Sequence, residues 1–182
     1  LKLDLATLLF IEQPVKNLTT GSVLRLLVMD NQHLVVGMGK GVCIKRPQDL
    51  ACEPMYKKDG SIMLDTPTAL LEDAFHNLWI STHQGLYRLR PNSQVLDQFI
   101  SNDSTQGLSH NYVLGMVEDQ RGHLWITTST GFDRVSNLAG DSVLIEQQKS
   151  LLGLNDKMPG GNMLFDSMGR IWSAVSLFNL QT

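Results

Sequence analysis

An aspartate, a tryptophan and a glycine recur at set intervals along this chain. Asp119, Trp125 and Gly131 follow one another at six-residue steps, and so do Asp73, Trp79 and Gly85. Asp166 and Trp172 repeat the first step, and Asp30 opens a fourth, degraded copy that reads one residue shorter and reaches a similar turn at Gly41. Residues 117–134 read as two strands joined by a tight turn, because Asp119 and Gly122 supply turn chemistry between an apolar run ending at Val117 and another at Leu124 to Ile126. Trp79 and Trp125 are 46 residues apart, and Trp125 and Trp172 are 47 apart. A period of about 40–50 residues built from short strands is the signature of a propeller or solenoid. Each period has room for four strands of about 5–6 residues with their turns, the content of one propeller blade. The chain is therefore read as all-β: a β-propeller segment of about four four-stranded blades.

The blades are expected at approximately 22–60, 61–105, 106–150 and 151–182, with residues 1–15 contributing an outer strand to a different blade. Loops rich in Asn, Asp, Ser and Gly punctuate strands here rather than separating domains. The fourth blade stops after about three strands, and its expected glycine position holds Phe178. An arc of four blades would leave apolar faces bare on its first and last members, because each repeat buries its core against its neighbours. Part of a larger propeller is thus the expectation, with closure of a four-bladed ring as the alternative.

With 42% hydrophobic residues over 182 positions, the chain can build a sizeable core. A net charge of −3 with scattered Lys and Arg gives no electrostatic reason to expect nucleic acid or an anionic membrane surface. No apolar run approaches the roughly 18 residues of a membrane span, and the N-terminus lacks a signal-peptide pattern, so the span reads as soluble or as a soluble piece of a longer chain. Cys43 and Cys52 do not make a metal spacing and read as two unpaired thiols. A disulfide would require the third and fourth strands of the first blade to bring their Cα atoms within roughly 7 Å.

The repeats resemble the two-component regulator propeller repeat, whose pattern is approximately Gly-Leu-x-x-Asn, a short strand, Glu-Asp, a turn glycine, Leu-Trp-Ile-Gly-Thr and then Gly-Leu-x-Arg. The third copy matches most fully, through Gly107-Leu108-Ser109-His110-Asn111, Val113, Met116, Glu118-Asp119, Gly122, Leu124-Trp125-Ile126, Thr128, Gly131 and Arg134. The second matches through Leu71-Glu72-Asp73, Leu78-Trp79-Ile80, Thr82, Gly85-Leu86 and Arg88; the fourth keeps Gly153-Leu154, Asp166, Gly169 and Ile171-Trp172. The first keeps little beyond Asp30 and the glycines. The resemblance implies a seven-bladed propeller in the extracytoplasmic, periplasmic input region of a membrane-anchored receptor, followed in the parent chain by a histidine kinase or diguanylate cyclase output. It implies ligand sensing and no enzymatic activity or cofactor for this span.

In propeller geometry the loop entering each innermost strand and the turn joining the second and third strands emerge at the same end of the ring. His83, Gln84, His110, Asn111, Thr128 and Thr130 collect there and form the candidate binding set for a small polar ligand such as an oligosaccharide. Asn111 and Thr128 have a competing structural reading, in which they satisfy turn backbone groups in each blade. Asp73, Asp119 and Asp166 occupy one place in successive blades, too far apart for joint acid/base or metal chemistry, and are read as caps of their own turns. Trp79, Trp125 and Trp172 are read as packing anchors between blades, with Gly85, Gly122, Gly131 and Gly169 as turn residues. His33, His76 and His123 fall in equivalent turns at the opposite end, not in ligand spacing. The stretch from Gly37 to Gly41 lacks the order of a phosphate loop. Two other functions compete with sensing: a scaffold for protein contacts, with further blades or a second copy as partner, and a catalytic propeller of sialidase or lyase type. The Asp-to-Trp spacing is one residue wider than the sialidase turn motif, which argues against catalysis.

Overall fold

Strands too short to be stable alone must pair along the chain, and in this computed structural model each period closes into its own antiparallel sheet. The structure describes residues 2–4, 9–11, 22–102, 107–148 and 161–173. Near the N-terminus β1 (Lys2–Asp4) pairs with β2 (Leu9–Ile11). Within residues 1–15, expected as an outer strand of another blade, the described residues thus form an antiparallel pair of short strands rather than one continuous strand.

Blade one is β3 (Val23–Val28), β4 (Leu34–Met38), β5 (Val42–Lys45) and β6 (Glu53–Pro54). A short β7 (Tyr56–Lys57) then leaves it and pairs in parallel with the outer edge of blade two, making that sheet five-stranded. Blade two is β8 (Pro67–Glu72), β9 (Leu78–Thr82), β10 (Gly85–Leu89) and β11 (Val95–Phe99). Blade three is β12 (Val113–Glu118), β13 (Leu124–Thr128), β14 (Phe132–Ser136) and β15 (Leu144–Gln147). Two strands of blade four are described, β16 (Met163–Phe165) and β17 (Ile171–Ser173). Phe178 and the rest of that blade lie outside the described residues. Each complete innermost strand carries a register shift near its start, at Val23/Arg25, Pro67/Ala69 and Val113/Gly115. The recurrence marks it as a property of the repeat.

The six-residue Asp-to-Trp interval has a direct cause. Asp73 Oδ1 accepts the backbone N–H groups of Phe75 and Asn77 at 2.9 Å each, while Oδ2 accepts the Trp79 indole N–H at 2.7 Å. Asp119 does the same with Arg121, His123 and Trp125, and Asp166 with Met168, Arg170 and Trp172. One carboxylate thus closes the turn and orients the ring that leaves it. Blade one lacks this device, and its register corrects the placement of Asp30. Met29, whose N–H bonds His33 O as Asp119 N–H bonds His123 O, stands at the aspartate position, and Val35 stands at the tryptophan position. That copy is full length: an apolar pair in the core, at 6% and 0% exposure, replaces the acid and the indole.

The core lies between blades. Along β9, Leu78 and Ile80 pack towards blade one, with Val35, Met55 and Met63, while Trp79 packs towards blade three, with Leu124 and Ile126. The repeat arginine seals the same junction: Arg88 is buried, pairs with Asp97 at 3.0 Å and donates to the Gly140 and Asp141 carbonyls of blade three. Cys43 on β5 and Cys52 just before β6 form a disulfide, with Cα atoms 5.6 Å apart. The expectation of free thiols is overturned, because antiparallel pairing of β5 with β6 brings the two backbones within bridging range.

The outer faces of the arc are apolar and open. Trp79 is fully buried against blade three, whereas its counterpart Trp172 is 55% exposed; on the first blade Leu26 and Val28 are 65% and 63% exposed. The tryptophan environment orders the aspartates by energetic importance. Asp73→Ala leaves a buried indole N–H and backbone donors unpaired and is expected to cost about 2–4 kcal/mol. Asp166→Ala, in an exposed turn, should cost clearly less. Chemical denaturation of the two variants checks the ranking, and equal losses would refute this account of the repeat.

Candidate functional site

The two ends of the arc differ in chemistry. At the end carrying the aspartate turns, polar groups are spent within and between turns: Glu118 accepts the Ala74 N–H at 3.0 Å, and Glu72 accepts the Asp30 N–H at 2.8 Å, so each glutamate latches its blade to the preceding one. At the other end lie the glycine-led turns β9–β10 and β13–β14 and the loop leading into β12.

Threonine closes those glycine turns. Thr82 Oγ1 donates to Gly85 O at 2.9 Å and accepts the Gln84 N–H at 2.9 Å; Thr128 Oγ1 donates to Gly131 O at 3.3 Å and accepts the Thr130 N–H at 3.3 Å. Gly85 needs its residue type: its φ is 126°, and the Cβ of any other residue would stand 2.4 Å from Phe99 O. Of the six sequence-derived candidates, Thr128 is therefore buried and engaged in its own turn. Asn111 is engaged as well, its Oδ1 accepting the Ser101 N–H at 2.6 Å and tying the leading loop to the end of blade two.

His83, Gln84, His110 and Thr130 are arranged differently. The His83 ring stacks on Tyr112, with centroids 3.7 Å apart and planes inclined by 13°. His83 belongs to a blade-two turn and Tyr112 to the loop before β12, so the stack crosses the junction between blades two and three. His110 is exposed, with Nδ1 accepting the Tyr112 N–H at 2.9 Å. Gln84 and Thr130 are also exposed, and Thr130 Oγ1 donates to Ser109 O at 3.3 Å. The structure thus brings two aromatic rings and several polar side chains to one solvent-facing patch. Tyr112 was not among the sequence candidates; an aromatic directly after His110-Asn111 was the available signal.

Beneath the patch sits a second residue that sequence reasoning missed. Asp133 is fully buried, and its Oδ2 accepts both the N–H and the hydroxyl of Ser109, at 2.8 and 3.1 Å. The Ser109 hydroxyl also meets Thr128 Oγ1 at 2.7 Å. Asp133 Oδ1 has no hydrogen-bond partner. Burial pushes its carboxyl up to about 6, only partly offset by the bonds from Ser109. By register Asp133 stands where blade two has Tyr87, opposite Ile126 as Tyr87 is opposite Ile80, so an acid at a core-facing strand position was the sequence signal.

Comparison with known proteins gives two findings. Residues 107–130 match the family described as two component regulator propeller, within the third copy. The fold matches the extracellular domain of a candidate one-component system of B. thetaiotaomicron at 19% identity and TM-score 0.66, covering 91% of this chain and 22% of that one. It matches that of a candidate hybrid two-component system of the same organism at 20% identity and TM-score 0.64, covering 87% and 22%. A candidate gluconolactonase matches at 15% identity and TM-score 0.52, covering 90% and 59%. No curated protein matches the sequence. The chain therefore spans about a fifth of the length of the two extracellular domains, 22% in each case. The β-propeller expectation is borne out, and the two-component regulator propeller repeat is matched over residues 107–130.

Asp133 makes the leading loop pH-sensitive in a defined direction. A carboxyl raised in the folded state adds stability below its ordinary value of 3.8, and that stability is lost as pH rises towards about 6. Asp133→Asn, which mimics the protonated side chain, removes this dependence. Between pH of about 4 and 6 the wild type should lose about 3 kcal/mol relative to the variant and change little above. Denaturant melts of both proteins across that range test it; parallel curves would contradict the assignment.

Proposed function

We propose, from the premise that residues 107–130 are a two-component regulator propeller repeat, that this chain is part of the ligand-sensing input region of a bacterial membrane signalling receptor. The receptor is of two-component or diguanylate cyclase type, and the span itself binds rather than catalyses. The fold it shares with extracellular domains of signalling proteins supports this reading. The Cys43–Cys52 disulfide supports a periplasmic location, because such bonds persist in oxidising compartments.

The observation that carries the binding reading is the His83–Tyr112 stack at the blade two–three junction, flanked by Gln84, His110 and Thr130. A flat aromatic surface edged by donors and acceptors suits a small polar ligand such as an oligosaccharide, whose C–H faces lie on rings and whose hydroxyls meet the polar rim. A ligand held by both blades transmits a signal only if it binds one arrangement of the receptor better than another. Calorimetric titration with a panel of neutral and acidic oligosaccharides should find a binder whose affinity falls by about tenfold or more, or about 1.4 kcal/mol, in Tyr112→Ala and in His83→Ala. Undiminished binding in both variants would move the site elsewhere.

The open end faces favour a second, compatible role in protein contacts. Leu26 and Val28 on one side and Leu164 and Trp172 on the other are surfaces for further blades or for a second copy of the chain. The 182-residue chain should self-associate in sedimentation experiments, and Leu26→Asp combined with Trp172→Asp should reduce that association. A monomer that melts cooperatively would count against both occupants.

A further inference from the structure

At the aspartate-turn end the repeat serves as its own control. Four turns close with the same backbone pair: Met29 N–H to His33 O with Gln32 N–H to Met29 O, Asp73 to Asn77 with His76 to Asp73, Asp119 to His123 with Gly122 to Asp119, and Asp166 to Arg170 with Gly169 to Asp166. Position by position, the residue preceding the turn is Val28, Glu72, Glu118 or Phe165; the second turn residue is Asp30, Ala74, Gln120 or Ser167; the fourth is Gln32, His76, Gly122 or Gly169. Among the described residues, only the junction of blades one and two sets an aspartate in one turn against a glutamate and a histidine of the next.

We propose that Asp30, Glu72 and His76 form a binding site for a divalent transition-metal cation of the Zn2+ class, clipping blade one to blade two. One ligand atom from each residue lies within 4.8 Å of the other two. His76 Nδ1 stands 3.0 Å from Glu72 Oε1 and 3.5 Å from Asp30 Oδ2. Zinc bonds of about 2.0–2.2 Å in a tetrahedron put neighbouring ligand atoms about 3.3 Å apart, so these separations already approximate edges of one such polyhedron. One imidazole and two carboxylates are a nitrogen–oxygen donor set suited to Zn2+, Ni2+ or Co2+ rather than to a soft Cu+ ion.

The surroundings support the assignment. The free Glu72 oxygen, Oε2, accepts the Asp30 N–H at 2.8 Å, which orients the carboxylate from the neighbouring blade. A recess of about 500 Å³ beside Asp30 and Glu72, walled by Leu27, Leu70 and Leu71 as well as by Asp73 and Glu118, adds negative charge near the two carboxylates. Without a cation, Glu72 first and then Asp30 stabilise the His76 imidazolium and raise its affinity for a proton.

The site is tested by titrating the metal-stripped protein with ZnCl2, followed by calorimetry and by thermal melting. His76→Gly is the informative variant, because glycine holds the same backbone position in the third and fourth turns, at φ of 74° and 75° against 60° for His76. The wild type should bind one Zn2+ and melt higher with it, and both His76→Gly and Asp30→Asn should weaken binding by more than about tenfold. His123→Ala, in the next turn, should bind as the wild type does. Absence of zinc binding by the wild type, or binding unchanged in His76→Gly, overturns the proposal.

Discussion

A single hydrogen bond, donated by a tryptophan indole N–H to a turn carboxylate, organises the repeat in three of the blades. The bond spans six residues, and the same carboxylate's other oxygen collects two backbone donors of the turn. Geometry then follows from chemistry: the hairpin cannot slip by one residue without stranding the indole, and in blade two the ring so fixed packs into the junction with blade three. In the third and fourth turns the bonds also hold the carboxyl below its ordinary value. Asp166 is held down at about 2 by the Trp172 indole and then the Arg170 backbone N–H. In Asp119 burial pushes the other way, but the donors of His123 and Trp125 prevail and the carboxyl lies below its ordinary value.

Because the core lies between blades, each blade contributes two different faces. Even a strand as short as β9 splits its residues, Trp79 to one neighbour and Leu78 and Ile80 to the other. Polar contacts reinforce the junctions: Thr68 Oγ1 donates to Val113 O at 2.7 Å, and Thr127 Oγ1 donates to Gly161 O at 2.7 Å. A blade is a unit of sequence but not of stability, which is why unpartnered faces such as that of Trp172 stand open.

In a repeat fold, function resides where copies differ. In blades two and three the Asp, Trp and Gly are consumed by the hairpins they close, and the same holds for Thr82 and Thr128. His83, Tyr112, His110 and Asp133 have no counterparts in the other described blades, and neither does the Asp30, Glu72 and His76 set. Each of these groups straddles a junction between blades, where two different loops can present side chains that neither could assemble alone.

Much of this was legible in the chain alone. The interval from Asp to Trp to Gly is local, set by the length of one hairpin, so the blade, its strands and the capping role of Asp73, Asp119 and Asp166 could be read directly. Contacts between segments distant in sequence could not. Cys43 and Cys52 are joined because β5 and β6 pair, and Met29 rather than Asp30 takes the first turn position because strand register places it there. The His83–Tyr112 stack and the convergence of Asp30 with His76 depend on how adjacent blades abut, and the bonds that bury Asp133 depend on how the loop before β12 folds over β14. Periodicity along a sequence specifies the repeating unit, whereas packing between units is a long-range outcome that no single period encodes.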